Sequence, residues 1–566
     1  MNTELVGVIA TFAITLALAI PFGKYIARVF KGEKTFLDIL APVEAWLFRI
    51  CGIDPTKQMS WKQHLLALLS INLLWFVYAF IMLLTQGSLF LNPDGNPSMS
   101  PDLSFNTAIS FMVNCNLQHY SGETGLTYLT QLAVITFLQF TSAATGIAAL
   151  IVVFKAMREK TAKGLGNFFD LFLKSLTRIL LPVSTIIAVI LVFNGTPSGF
   201  FSGKDTILTL QGDTVQVSRG PAAGMIAIKH LGTNGGGWFG ANSAHPLENP
   251  NYLTNMVEMI AQVLIPLALI FALGFYLNRK KMAWVIFGVM TVGMISFLVP
   301  ALIAETSGNP AIARMGIDQS AGSMEGKEVR FGAAASAYWS VVTTIISTGS
   351  VNSMHDSSMP ASGTMQLLGM MTNAFYGGCG VGILNYYIFM IIAVFISGLM
   401  VGRTPEFLGR KIEAREMKIA TLVALLHPLL ILAGTAISSY MYTKDPAVGW
   451  LNNPGYHGFS EMLYEYTSSA ANNGSGFEGL GDNTWFWNIS TGFVLILGRF
   501  LPIIGPLAIA GILAKKKFIP ESAGTLRTDT GTFGIMTYAV IMIIAALAFF
   551  PALVLGPLAE YFTLYH

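Results

Sequence analysis

The sequence predicts an all-α polytopic membrane protein with about ten transmembrane helices, and three observations carry that prediction. Only 11% of the 566 residues are charged and 53% are hydrophobic, against roughly one quarter charged in a soluble globular protein. Apolar stretches recur that reach the roughly 20 residues a helix needs to cross about 30 Å of hydrocarbon. Four long connections between them each open on a shorter apolar lead and then pass into Asn, Ser, Thr and Gly.

Along the chain the spans are expected near 5–28, 65–85, 125–154, 173–194, 252–277, 282–304, 364–401, 419–441, 484–513 and 534–557. The first has no Lys or Arg before it and is followed by Lys24, Arg28, Lys31 and Lys34. That charge order suits a first span with its N-terminus outside, not a signal peptide. The connections on one side hold 25 of the 33 Lys plus Arg residues, the opposite side holds 7, and Arg499 lies inside a span. The positive-inside rule therefore places both termini outside, in the periplasm of a bacterial inner membrane. The basic loops read as topology signals facing the lipid bilayer, so no nucleic-acid partner is expected. Cys51, Cys115 and Cys379 are too dispersed for a CxxC motif or a disulfide framework.

The four connections on the Lys- and Arg-poor side share one design. They read "NTAISFMVNCNLQHYSGE" (106–123), "MIAIKHLGTNGGGWFG" (225–240), "AYWSVVTTIISTGSVNSMHDS" (337–357) and "FSEMLYEYTSSAANNGSGFEG" (459–479). Anchored on Asn116, Gly235, Gly349 and Gly474, they are 119, 114 and 125 residues apart. An almost even period means four copies of a span–loop–span unit. The organisation that follows is an extra helix in 1–34, repeats in 60–160, 161–281, 282–412 and 413–520, and a final helix in 521–566. Leads of about 8–12 residues are too short to cross as helices and read as re-entrant half-helices. Irregular backbone at membrane depth survives only where protein buries it or water solvates it. Half-helices entering from outside point their partially negative C-terminal ends inward, which favours a cation. Glycine then lets carbonyl oxygens aim at one axis and replace the ion's hydration shell.

With "GTNGGGWFGANSAHPLENP", "SAANNGSGFEGL", "VNSMHDS", "NLQHYSGE" and "VGRTPEFLGRKIEAREMK", the chain resembles the A subunits of bacterial Kdp potassium-importing ATPases, in the superfamily of potassium transporters that includes Trk and Ktr. The likeness covers essentially the whole chain. It implies four pseudo-symmetric M1–P–M2 units with one extra helix at each end. It also implies a potassium filter made of Asn114, Cys115 and Asn116; Thr233, Asn234 and Gly235; Ser347, Thr348 and Gly349; and Asn472, Asn473 and Gly474, with Gln118 behind the first triplet. Asn116 stands where the other three triplets have glycine, so the ring is not fourfold equivalent, and Asn116 is expected to tolerate substitution better than the glycines. The resemblance further implies a channel-like subunit of an ATP-driven, high-affinity potassium importer. Its partners would be a P-type ATPase B subunit that uses ATP and Mg²⁺, a C subunit and a small F subunit. No cofactor is expected in this chain, K⁺ being its cargo, and no catalytic site.

The residues agree with a non-hydrolytic subunit. There is no GxxxxGK[ST] loop, and "TDTGT" (528–532) reads as a loop before the last span. "GGCGVG" (377–382) follows no predicted strand, which argues against dinucleotide binding. His119 with Cys115, or His355 with Asp356, lacks third and fourth ligands at metal-site spacing, so these are expected to fix the loops by hydrogen bonds. His427 is expected to be a buried helix-packing donor. An autonomous channel or cation-coupled symporter of the Trk/Ktr class is the alternative, separated by whether uptake depends on ATP. An intramembrane enzyme is disfavoured because no nucleophile–base pair is in view.

Two further sites concern the path below the filter. Arg499, midway along the fourth M2, is expected to stand under the filter as a positive barrier. The third M2 runs 40 residues from Gly363 to Gly402, about 60 Å if continuous. It must break, and Gly377, Gly378, Gly380 and Gly382 mark where, as a flexible gate.

Overall fold

The structure, a computed structural model, describes residues 3–158, 164–201, 203–400, 402, 404–519 and 527–565. Among these, ten helices are long and apolar enough to cross a membrane: Glu4–Lys31, Trp61–Ser88, Tyr128–Arg158, Phe168–Phe193, Tyr252–Leu277, Lys280–Arg314, Val381–Met400, Ala414–Lys444, Trp485–Leu513 and Gly531–Tyr565. Their starts carry local signals. Ser60 and Gln63 close a capping box before the second span, as Asn251 and Thr254 do before the fifth. Prolines inside spans, such as Pro266, Pro428 and Pro502, are tolerated because neighbouring helices satisfy the freed backbone.

In each repeat the second span is the more buried. Over their most apolar stretches the pairs are 17% and 89%, 33% and 83%, 44% and 67%, and 28% and 67% buried. The second spans therefore make the inner ring and the first spans face lipid. The extra N-terminal helix packs along the second span of repeat two, where a Cβ on Gly23 would stand 2.5 Å from the Ala268 carbonyl oxygen. On the basic side a short helix, Ala41–Ile50, exposes Val43, Trp46 and Ile50, while Glu44 and Asp38 hold Arg178 of the fourth span at 2.6 and 2.5 Å.

Four shorter helices sit between the spans of each repeat: Pro101–Met112, Ala222–Leu231, Gly332–Ile346 and Tyr456–Ala471. They are 12, 10, 15 and 16 residues long, each short of a span. The last two exceed the expected lead. The fourth gains polar turns with His457 and Glu461 that the apolar pattern alone does not mark as helix.

The seventh span, read as one stretch over 364–401, breaks as its length requires: Pro360–Thr372 and Val381–Met400 are separate, with 373–380 non-helical between them. One small feature was not expected in the helical fold: Lys204–Leu208 and Thr214–Ser218 pair as an antiparallel hairpin with Lys204 opposite Ser218. Its cause is visible in "DTILTLQGDTVQVS", where β-branched residues alternate around a Gly-Asp turn.

Candidate functional site

The four re-entrant helices end in the same way. Asn114, Thr233, Ser347 and Asn472 follow or nearly follow the last helical turn and take left-handed angles, with φ of 62°, 51°, 58° and 52°. Two residues on, Gly235, Gly349 and Gly474 are again left-handed, at 88°, 81° and 105°, and Asn116 is not. The triplets singled out by resemblance are thus one backbone motif repeated four times, with the asparagine as its exception.

The motifs meet edge to edge in a ring. A Cβ on Gly235 would stand 1.9 Å from the Thr348 carbonyl oxygen, one on Gly349 2.1 Å from that of Asn473, and one on Gly474 2.5 Å from the Asn116 amide nitrogen. Asn116 closes the circle by donating through Nδ2 to Gly235 O at 2.9 Å, and it also reaches Gly349 O at 3.2 Å. The loops therefore follow one another in the order one, two, three, four. The expectation that Asn116 is the replaceable member does not fit this geometry, since its amide spans two other loops.

Each junction has its own polar clamp. Between loops one and two, Gln118 exchanges a reciprocal pair with Gly237, Nε2 to O at 3.2 Å and N to Oε1 at 2.9 Å. Asn114 Nδ2 donates to Thr233 O at 3.1 Å while its Oδ1 accepts from Ser142 Oγ at 2.9 Å. Between two and three, Asn242 donates to Gly235 O at 2.8 Å and accepts from Ser350 Oγ at 3.0 Å. Lys229, wholly buried, is held by Asn242 and by Glu248. Between three and four, Asn473 Nδ2 donates to Thr343 O at 2.8 Å, and His355 Nδ1 meets Tyr464 Oη at 2.9 Å. Between four and one, His119 lies 2.6 Å from Asn488 Oδ1 and 3.2 Å from Glu465 Oε1. Burial opposes a charged His119 ring, but the Asp482 and Glu465 carboxylates outweigh it and hold the pKa up at about 9.

His119 and His355 accordingly fix loops: His119 pairs with Asn488 and Glu465 and not with Cys115, and His355 pairs with Tyr464 while the Asp356 side chain faces His457. His427 donates from Nε2 to Met370 O, 3.0 Å away, as a helix-packing group. Lys229, Glu248, Asn242 and Tyr464 are site residues that sequence reasoning missed. A lone lysine in the apolar lead "MIAIKHL" was the available signal, because a buried cation needs a buried anion.

Beneath the ring lies the break in the seventh span. Cys379 N donates to Thr233 Oγ1 at 2.8 Å, and a Cβ on Gly378 would be 3.1 Å from the same oxygen. Gly377 and Gly380 are left-handed, as are Asn373 and Tyr376, whereas Gly382 already belongs to the next helix. A Cβ on Gly146 of the third span would meet the Cys379 carbonyl oxygen at 2.2 Å and Arg499 Nη2 at 3.2 Å. Arg499 is buried and donates from Nη2 to Ser142 O at 3.2 Å. The cation and the broken segment therefore share one floor under the four loops. "TDTGT" places Asp529 beside Arg527, at 3.2 Å, just ahead of the last span.

Comparison with known proteins agrees with this architecture. The potassium transporter TrkH from Vibrio parahaemolyticus shares the fold, with a TM-score of 0.51, 12% identity, and coverage of 89% of this chain and 98% of that one. Potassium-transporting ATPase potassium-binding subunits are 69% identical in Flavobacterium psychrophilum and 62% in Bacteroides thetaiotaomicron, each over 100% of both chains. The subunit of that name in Geobacillus kaustophilus is 48% identical over 98% of both. The family described as "Potassium-transporting ATPase A subunit" matches residues 9–562, and this multi-pass membrane protein belongs to it.

Proposed function

We propose that the chain binds potassium at the four-loop ring and translocates it as the non-hydrolytic, channel-like subunit of an ATP-driven import complex. The observation that carries this reading is the closed order of the four left-handed motifs, each seated against the carbonyl or amide of the next. Twelve residues supply it: Asn114, Cys115, Asn116, Thr233, Asn234, Gly235, Ser347, Thr348, Gly349, Asn472, Asn473 and Gly474. The half-helices direct their C-terminal ends at the ring, so its partial charge favours a cation. Backbone carbonyls replace hydration oxygens, and the clamps hold them at the spacing one ion size prefers. Gln118 supports the ring through Gly237.

The Lys- and Arg-poor face, where the re-entrant helices enter, is the outer face, and both termini lie there, in the periplasm of an inner membrane. Under the ring, Arg499 repels a dehydrated cation while the 373–380 segment obstructs the axis. The ion then leaves sideways. A cavity of about 50 Å³ beside the break, lined by Asn373, Asn385 and His427, offers a start for that route. The receiving partner is a P-type ATPase subunit, with a C and a small F subunit completing the complex and with ATP and Mg²⁺ used there.

Potassium-limited growth of a transport-deficient strain tests the proposal. The chain should rescue growth only together with its partner subunits, and uptake should require ATP. Rescue by the chain alone, without ATP dependence, would instead establish an autonomous channel or symporter.

A further inference from the structure

The seam between the third and fourth repeats carries a group of side chains that the filter does not use. Asp356 lies in the loop that leaves the third motif, and His457 and Glu461 stand four residues apart on the first turns of the fourth re-entrant helix. That spacing puts both on one helical face. One ligand atom from each of the three falls within 4.8 Å of the others.

The contacts are those of a ligand set already oriented. His457 Nδ1 is 2.8 Å from Glu560 Oε1, which leaves Nε2 facing Asp356 Oδ1 at 2.9 Å. A carboxylate on the far ring nitrogen is the usual second partner of a metal-bound histidine. Asp356 is positioned from behind, its backbone N–H donating to Glu478 Oε2 at 3.0 Å. Asn453 Nδ2 reaches Asp356 Oδ2 at 3.4 Å and Glu461 Oε1 at 3.2 Å. Glu461 is wholly buried, and its second oxygen, Oε2, has no hydrogen-bond partner among the described residues. A buried carboxylate oxygen without a donor is costly unless a cation meets it. Access is open: Asp356, His457, Glu560 and Asn453 line a cavity of about 420 Å³ that Glu325 also borders.

We propose that Asp356, His457 and Glu461 form a divalent transition-metal site of the zinc type, separate from the potassium ring. Imidazole nitrogen and carboxylate oxygen are both donors that zinc accepts, and three of them leave the remaining coordination position turned to the cavity. Binding releases the proton that otherwise sits on Nε2 between the ring and Asp356. The metal joins the loop of the third motif to the helix of the fourth, while Glu560 fixes the ring orientation.

The test is zinc and cobalt binding by the purified full-length protein in its complex. Wild type should hold one Zn²⁺ per chain after removal of free metal, and Co²⁺ should give the visible absorption of a four-coordinate N/O site. His457→Gln and Glu461→Gln should each abolish both signals. Glu560→Gln should weaken zinc by about 10–100-fold, the effect of losing an outer partner, and His245→Gln should leave it unchanged. Wild type that retains no zinc refutes the site whatever the variants do. Equal binding in monodisperse His457→Gln and Glu461→Gln proteins also refutes it.

Discussion

Replacing Gly349 by alanine puts the ring to its most direct test. The residue has φ of +81°, and a Cβ there would stand 1.9 Å from Asn116 Oδ1 and 2.1 Å from the Asn473 carbonyl oxygen. The Asn116 amide can rotate away, but the Asn473 carbonyl is backbone and belongs to the ring. Holding a side chain in the left-handed region costs about 1–2 kcal/mol, and strained functional backbone generally stores about 1–3 kcal/mol. If that energy is relieved by turning the Asn473 carbonyl off axis, it is lost from potassium binding. A loss of about 1–3 kcal/mol corresponds to roughly 5–150-fold weaker affinity. The assay is the half-saturation of potassium-stimulated ATP hydrolysis by the purified complex, repeated with sodium and ammonium as competitors. Gly224→Ala is the matched control, since a Cβ there meets nothing within 4 Å and φ is not left-handed. A Gly349→Ala complex with unchanged half-saturation and unchanged ion preference would refute the ring assignment.

Three more outcomes follow from the same geometry. Arg499→Gln should keep assembled complex but leak cations or hydrolyse ATP without transport, measured as the ratio of uptake to hydrolysis; a wild-type ratio removes Arg499 from the path. Gly378→Ala with Gly380→Ala should slow turnover while leaving ion preference near normal, because a Cβ on Gly380 would stand 2.2 Å from the Gly146 carbonyl oxygen; wild-type turnover at full coupling shows that the segment is no gate. His119 is raised from an unfolded value near 6.5 to about 9 by Asp482 and Glu465, against its burial. A raised pKa stabilises fully below the unfolded value and is lost as pH climbs through the folded one, so thermal stability of the complex should fall between about pH 6.5 and 9, and His119→Gln should flatten that slope. An equal slope in the variant assigns the pH dependence elsewhere.

The parts of the fold that were legible in the sequence are those a membrane makes obligatory. A span must be apolar over its length, so ten spans could be read from hydropathy, and the break near Gly377 from a length that no bilayer accommodates. The ring was legible for another reason: glycine, which takes left-handed backbone without strain, recurs in the polar loops, and the 119, 114 and 125 residue spacing exposed the repetition. What hydropathy could not show is pairing across distance. Lys229 finds Glu248 across its own loop, whereas His355 finds Tyr464 and Asp356 finds His457, 109 and 101 residues away, because the fold brings different repeats to one seam. The polar first turns of the fourth re-entrant helix were missed because a helix end held by such pairs needs no apolar face.

Those pairings also explain why four copies of one motif have diverged. Four identical loops could close a ring, but each would accept any neighbour equally, and nothing would tie a given loop to its own floor. Here each junction uses a different chemistry: an amide exchanging with a backbone at Gln118, an asparagine and serine around a buried lysine at Asn242, an imidazole on a phenol at His355, and an imidazole between an amide and carboxylates at His119. Swapping any two loops would leave buried donors facing donors or an unpaired charge, at about 1–3 kcal/mol for each neutral group and more for Lys229. Asymmetry at the clamps thus seats Thr233 over Cys379, and Ser142 between Asn114 and Arg499. The four quasi-equivalent loops therefore meet an unequal floor, and that asymmetry is what the proposed lateral exit of the ion requires.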